Sequence, residues 1–560
     1  MARASPKIAL LVATGALYAA EFVGVTYYHA PEWLRLWPLA VVVAGVWCGM
    51  ALLIFGGDYA DRSGSVWAAP ALLLPFAALI VVAVAWPDSA FCLVRSNCFL
   101  GRAIGVAISI GGKPSLDPTT LSSRPPDRWS ARTFPGASVV LVSIDTLRCD
   151  ALSPYAPAER TPAIDALARE AVVFDDAFAP RPTSAPSMAS VLTGLYPQTH
   201  GVLENAMLLV DDVTTMAEFY RSENYATAGF VTNINFSDIF NFQQGFETFA
   251  YIDSKVDEHR LELDTADPIA VDRALAWVNS LAGEPFFLWV HLISPHSPYV
   301  PPALAQVGRG DRRWFNVLNM PAQEAELEGR RTFFNHADYE AAYRGEVQFV
   351  DAQVGRLMEG LKKAGRFDAA HVIFVADHGE AFGESDAFGH GTSLDPVETR
   401  VPLLWKLPAG AEARRRLGTT VQNVDILPSL LQLTGQAHVP KLEGRVISGI
   451  MLGDAEEDEG FAFTEAGYEG APPAEALKYM VRTRSRGLSI YTRLPFVLEF
   501  ARLPDVAEQH PTLHRADRDE MFNQLSALAA TTHIQRGKSR TKVVLDDESK
   551  EKLRALGYIR

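Results

Sequence analysis

Ser184 stands two residues ahead of Pro186, at the head of the stretch Pro186-Ser187-Met188-Ala189-Ser190-Val191-Leu192-Thr193-Gly194. A helix that starts near Pro186 leaves unpaired backbone N–H groups beside the Ser184 hydroxyl. Those groups favour a bound anion and a developing alkoxide, which makes Ser184 a candidate nucleophile for anionic esters. On its own, a serine in that place is more often an N-terminal cap. Three apolar runs then end on groups that hold charge or protons. Val139 to Ile144 runs into Asp145-Thr146-Leu147-Arg148, and His371 to Ala376 runs into Asp377-His378-Gly379-Glu380. The run from Phe286 to Ile293 carries His291 and leads to His296 in Ser294-Pro295-His296-Ser297-Pro298-Tyr299. Carboxylates and imidazole gathered at one sheet edge suit a divalent metal such as Zn, Mn or Ca. A metal there would lower the pKa of the Ser184 hydroxyl and neutralise an ester oxygen.

Each group also has a plain structural role open to it. Asp145 can cap a helix, and Asp377-His378-Gly379 reads equally as a turn. His390, in Gly389-His390-Gly391, reads as a loop histidine, and His200 reads as a buttress.

These residues need a frame that brings strand ends together. β-branched apolar runs at 139–144, 226–231, 285–293, 371–376 and 401–407 predict strands, and helical patterns at 161–169, 272–281 and 340–364 lie between them. Such alternation predicts a largely parallel α/β sheet sandwiched by helices, with ligands at the carboxyl ends of its strands. The pattern weakens after Gly453, and a charged helix over 546–556 closes the chain. The organisation expected is a membrane region at 1–112, a linker at 113–137, a catalytic core at 138–453 and a smaller C-terminal subdomain at 454–560.

The chain has 560 residues and a net charge of -15, which argues against nucleic acid as a partner. Its long apolar runs fall before residue 112. Those at 8–28, 36–55 and 66–86 each match the ~20 residues that cross a bilayer, and Trp33, Trp37, Trp67 and Trp86 stand at their ends. With Arg3 and Lys7 inside, three crossings put the rest of the chain outside the cytoplasm, in a periplasm-like compartment. Residues 91–112 are apolar but carry Arg95 and Arg102, so they read as interfacial or extracytoplasmic rather than spanning. Cys92 and Cys98 have the spacing of a small disulfide loop, which fits an oxidising compartment.

In combination, the motifs resemble the sulfatase family of the alkaline phosphatase superfamily. Val142 to Arg148 looks like its first metal strand. The resemblance continues through Thr161 to Ala168, Ser184 to Gly201, His291 to Pro301 and Gly345 to Asp351. It then takes in the Asp377 block, Arg400 to Leu403 and Leu553 to Ile559. It implies that Asp145, Asp377 and His378 hold a metal and that Ser184 is the nucleophile, also touching the metal. It further implies that His296 and His390 meet the ester's anionic oxygens or protonate the leaving group. Arg148 and His291 lie nearby without an assigned role.

Two departures bear on the chemistry. Sulfatases make formylglycine from Cys or Ser within Cys/Ser-any-Pro-any-Arg, and here Met188 replaces the arginine. Thr146 stands where a second Asp is usual, and His378 where Asn is more usual, which leans the site from Ca toward Zn or Mn. An unmodified serine attacks phosphorus well, whereas a sulfated serine would be a dead end. The expectation is a membrane-anchored, metal-dependent hydrolase or transferase of anionic esters, with phosphate esters favoured. The alternatives are a true sulfatase with Ser184 converted to formylglycine, and a catalytically silent envelope scaffold.

Overall fold

The computed structural model describes residues 127–253, 255–257, 260–262, 266–297, 299, 336–384, 388–436, 442–467, 478–484, 486–491, 497–502 and 545–555. The expected membrane region at 1–112 lies outside them. No helix among the described residues is long and apolar enough to cross a membrane. The chain divides into two compact units, one of residues 119–487 with 521–560 and one of 1–118 with 488–520. The site described below belongs to the first.

That unit is built on one large sheet. Its strands are β1 (Val139–Ile144), β2 (Val172–Phe178), β3 (Ala226–Val231), β4 (Thr248–Tyr251), β5 (Phe286–Leu292), β6 (His371–Ala376) and β7 (Arg400–Lys406). Across the sheet the order is β2-β7-β6-β1-β5-β3-β4, with the short strands Arg416–Leu417 and Val421–Gln422 pairing with β2. All pairings are parallel except those of β7, which runs against both β2 and β6. The expected largely parallel sheet is therefore observed, with one reversed strand.

The central strands β1, β5 and β6 are buried at every position. That is what a parallel sheet covered on both faces demands, and it is why these runs read as unbroken apolar stretches. β2 was not among the expected strands. Asp175 and Asp176 interrupt its apolar run, and they are half-exposed partners of Arg416 and Arg400.

The longer helices are α1 (Pro162–Glu170), α2 (Ser184–Thr193), α3 (Met216–Ser222), α4 (Ala266–Ser280), α5 (His336–Lys363), α6 (Ile426–Leu433) and α7 (Asp547–Ala555). α3 and α4 pack on β3 and β5, α5 packs on α4 and α1, and α6 packs on α2. α4 starts at Ala266 rather than Asp272, because Asp267 and Pro268 suit a first turn, where proline's missing N–H costs nothing. α2 starts at Ser184 with Thr183 as its N-cap, so Ser184 is the first residue of the helix and not a cap ahead of it. Gly194 ends α2 at φ 66°, a conformation that suits glycine, and returns its N–H to Ser190 O at 2.9 Å.

Beyond the sheet, β8 (Ala462–Ala466) and β9 (Lys478–Arg482) pair antiparallel. The N–H of Glu465 donates to Pro180 O at 2.9 Å, and Thr464 Oγ1 donates to Ala179 O at 3.0 Å. These bonds brace the segment that leads into α2.

Candidate active site

Register alone places the first groups. Ile144 is level with both Leu292 and Ala376, so β1, β5 and β6 end together. Asp145 N–H donates to Leu292 O at 3.1 Å and Asp377 N–H donates to Ile144 O at 3.2 Å, which carries the ladder one residue past each strand. Asp145, Asp377 and His378 each present a ligand atom, and these atoms lie within 4.8 Å of one another, all three residues being fully buried.

α2 delivers the hydroxyl to that cluster. Ser184 Oγ lies 3.2 Å from His378 Nε2. The helix is fastened by Ser187 Oγ, which donates to Asp377 O at 2.6 Å and accepts from Asn423 Nδ2 at 3.4 Å. His378 Nδ1 is 2.9 Å from Gly379 O, and a carbonyl only accepts, so Nδ1 carries the proton. Nε2 therefore offers its lone pair to the cluster, the tautomer a metal ligand needs. Residue 379 must be glycine for this packing, because a Cβ there would sit 2.0 Å from Val397 O.

The donor set fits a divalent cation. Asp145 Oδ1 and Asp377 Oδ2 are buried with no hydrogen-bond partner among the described residues. His378 Nε2 is 3.8 Å from the first and 3.6 Å from the second. Burial works against both carboxylate charges. The neighbouring imidazoles, His296 foremost, hold Asp145 well below the usual carboxylate range. Burial and then the charge of Asp145 push Asp377 well above it. Two buried carboxylates this close work against each other's charge, and a bound cation removes that conflict.

His296 and His390 adjoin the cluster. The ring of His390 lies 4.4 Å from that of His378 and 5.3 Å from that of His296, centroid to centroid. Their surroundings bias the two in opposite directions. Burial lowers the pKa of His296, whose Nδ1–H is given to Ser297 O at 2.6 Å. Burial also opposes charge on His390, but Glu380 Oε1, 3.1 Å from its Nδ1, raises its pKa above the ordinary value. Glu380 is fixed in turn by Tyr299, whose hydroxyl donates to Oε2 at 3.1 Å. Two neighbouring imidazoles biased in opposite directions suit acid–base work.

The remaining residues singled out in the sequence divide. His291 lies under Asp145, its Nε2 3.5 Å from Oδ2. Arg148 is spent on structure: its guanidinium bonds Asp150 at 2.6 and 2.8 Å, Glu384 at 2.8 Å and Glu380 O at 3.0 Å. His200 is a buttress, 3.0 Å from Ser190 Oγ. Met188 is wholly buried in the apolar core, so α2 brings no cation to the site at that position. Sequence reasoning missed Asn205, Asn233 and Asn235. Asn233 and Asn235 follow the end of β3, a fourth strand end that carries amides rather than charges. Asn205 Oδ1 accepts the N–H of Ala185, next to the nucleophile, at 2.9 Å.

A hydroxyl at a helix start beside a carboxylate–imidazole cradle, at the carboxyl edge of a mostly parallel sheet, defines the ester hydrolases of the alkaline phosphatase superfamily. The family model described as Sulfatase matches residues 137–436, and the chain belongs to the sulfatase family. It is similar to the ulvan-active sulfatase of Formosa agariphila, with 28% identity over 427 residues, covering 70% of this chain and 80% of that one. Its fold resembles the solved phosphonate monoester hydrolase of Agrobacterium radiobacter at a TM-score of 0.52 and 20% identity, covering 75% of this chain and 95% of that one. It also resembles, at a TM-score of 0.56 and 18% identity, a protein solved with its substrate D-glucosamine-2-N,6-O-disulfate, covering 71% and 98%.

Proposed function

We propose that the protein is a metal-dependent hydrolase or transferase of anionic esters that uses Ser184 as an unmodified nucleophile, with phosphate esters as its substrates. One observation carries this reading: Ser184 Oγ lies against the Asp145–Asp377–His378 cradle while residue 188, where the formylglycine signature has arginine, is a core methionine. Asp145, Asp377, His378 and Ser184 would hold the cation, and two carboxylates with one imidazole suit Zn or Mn, with Ca a third choice. The cation supplies Lewis acidity to the ester oxygen and acidifies the serine.

Ser184 Oγ, its proton already released to solvent by that acidification, forms the bond to phosphorus as the ester P–O bond breaks, and the leaving oxygen takes its proton from His390. Glu380, 3.1 Å from Nδ1, favours the charged form of His390 for that transfer. His296, whose burial favours the neutral form, accepts a proton from the water or alcohol that then attacks phosphorus and frees Ser184.

The second reading is a sulfatase with Ser184 converted to formylglycine, favoured by the family and by the relatives' names. Peptide mass spectrometry across residues 181–201 separates the two, since conversion removes about 2 Da. The mass expected is that of serine, and the lighter peptide would sink the phosphorus reading. The activity test is a panel of chromogenic phosphate monoesters, diesters and sulfates with Zn, Mn and Ca. Ser184→Ala is expected to keep its metal and lose turnover by on the order of 10⁴-fold or more. A protein that binds no metal and turns nothing over would instead be a silent scaffold.

The apolar runs before residue 112 support a multi-pass membrane anchor with the catalytic unit extracytoplasmic, so that lipid and an envelope ester are its surroundings. A topology reporter fused at Lys113 tests this, and signal from the cytoplasmic side would refute it.

A further inference from the structure

The two oxygens of Asp145 have different neighbours. Oδ1 is the one with no hydrogen-bond partner, turned toward His378. Oδ2 receives Asn233 Nδ2 at 2.5 Å, with His291 Nε2 3.5 Å away. Asn233 is itself gripped. Its Oδ1 accepts from the backbone N–H of Asn235 at 2.9 Å and from Asn235 Nδ2 at 3.2 Å. A carboxamide is planar, so fixing its oxygen fixes where its NH₂ points. Asn235 then reaches the other way: its Oδ1 accepts from the N–H of Ala206 at 2.9 Å. Ala206 follows Asn205, whose Oδ1 accepts from Ala185 N–H at 2.9 Å, one residue past Ser184.

Three details set this chain apart from ordinary loop bonding. Asn233 and Asn235 are wholly buried, the first capping and the second within the 3-10 turn Ile234–Phe236 that follows β3. Ala206 stands at φ 61°, a backbone conformation that persists only where its surroundings impose it, and the bond from Asn235 is one such constraint. The link to Asp145 is an uncharged donor, which orients the carboxylate without cancelling the charge a cation needs. A lysine there would compete with the metal.

We propose that Asn233 and Asn235 are positioning residues that brace Asp145 against the Asn205–Ala206 turn, so that the metal cradle and the nucleophile are set by one hydrogen-bonded chain. This rests on the metal-dependent reading above. Asn235 touches neither Asp145 nor Ser184, so its variants probe the chain and not the end points. Asn235→Ala removes both side-chain links, to Asn233 and to Ala206, and leaves only its backbone N–H on Asn233 Oδ1. Asn235→Asp keeps an acceptor for Ala206 N–H and loses the side-chain donor to Asn233, the backbone donor remaining.

The test is calorimetric titration of the metal-free full chain with MnCl₂ and with ZnCl₂. It is run beside thermal unfolding of the metal-free protein and kcat and KM at saturating metal on the best ester of the panel. Both variants are expected to bind metal roughly 10–100-fold more weakly than wild type, the usual effect of losing a partner behind a ligand. Asn235→Ala is also expected to lose kcat at saturating metal with little change in KM, whereas Asn235→Asp retains most of its kcat. If Asn235→Ala does not fold, Asn235→Asp still carries the metal measurement. Wild-type affinity in both variants, within about twofold, overturns the brace while leaving the metal reading intact. Wild-type protein that binds neither cation overturns the metal reading and the brace with it.

Discussion

Thr146 concentrates the tension in this site. Its φ of 50° lies in the left-handed region, where a β-branched residue is strained by about 1–3 kcal/mol and Asp or Asn sits with ease. Two bonds hold it there: its N–H donates to Asp377 Oδ1 at 3.1 Å, and its carbonyl accepts from the Tyr343 hydroxyl at 2.9 Å. Its Oγ1 is buried without a partner among the described residues. Thr146→Asp is therefore expected to ease the backbone while adding a third carboxylate to the cluster. The metal-free variant should unfold at lower temperature, because another buried negative charge is uncompensated. Calcium affinity should rise relative to zinc, by about tenfold or more, as oxygen ligands accumulate. Titrations with CaCl₂ and ZnCl₂ measure this, and an unchanged ratio would show that Thr146 does not govern metal choice.

At the scale of the element, α2 explains why family membership does not carry the sulfatase signature with it. The helix is buried at all of its positions, and Met188 belongs to the apolar core rather than to the site. Met188→Arg would restore the signature in sequence but place a guanidinium among aliphatic side chains, at a cost of about 3–5 kcal/mol. The expected outcome is a fall in melting temperature with no gain in sulfatase turnover and no 2 Da loss at Ser184. A stable variant that acquires formylglycine would show that this face of α2 can turn toward the site. The strand ends were legible because parallel strands are uniformly apolar and stop abruptly at charge. The end of β3 was not, since Thr232-Asn233-Ile234-Asn235 carries no titratable group to mark it.

Across the whole molecule, Glu398 joins the reversed-strand region to the loop that bears His390. Its Oε2 accepts from Gly391 N–H at 2.9 Å and Ser393 N–H at 3.3 Å, while Oε1 is buried with no partner among the described residues. Burial lifts its pKa from 4.5 to about 8. The unfolded chain therefore gives up this proton first, and between those two values a rise in pH destabilises the fold, by at most about 1.4 kcal/mol per unit. Below both values, the group contributes no pH dependence. Glu398→Gln can keep both backbone bonds and removes the titration. It is expected to melt with wild type near pH 4.5 and above it at pH 8, and a constant difference across that range would mean that Glu398 is ionised in the folded state.

The sequence by itself determined the chemical inventory and the class of frame. Apolar strands ending at Asp145 and Asp377, a hydroxyl at the start of a helix and histidines at or just past strand ends are local patterns, set by backbone geometry and burial within a few residues. Only the tertiary structure decided which of them meet. Strand register brought Asp145 level with Asp377, packing turned Met188 away into the core, and Arg148 was claimed by Asp150 and Glu384. The asparagines from two separate loops became one chain for the same reason. A hydrogen bond between residues far apart in sequence leaves no periodicity and no composition to read.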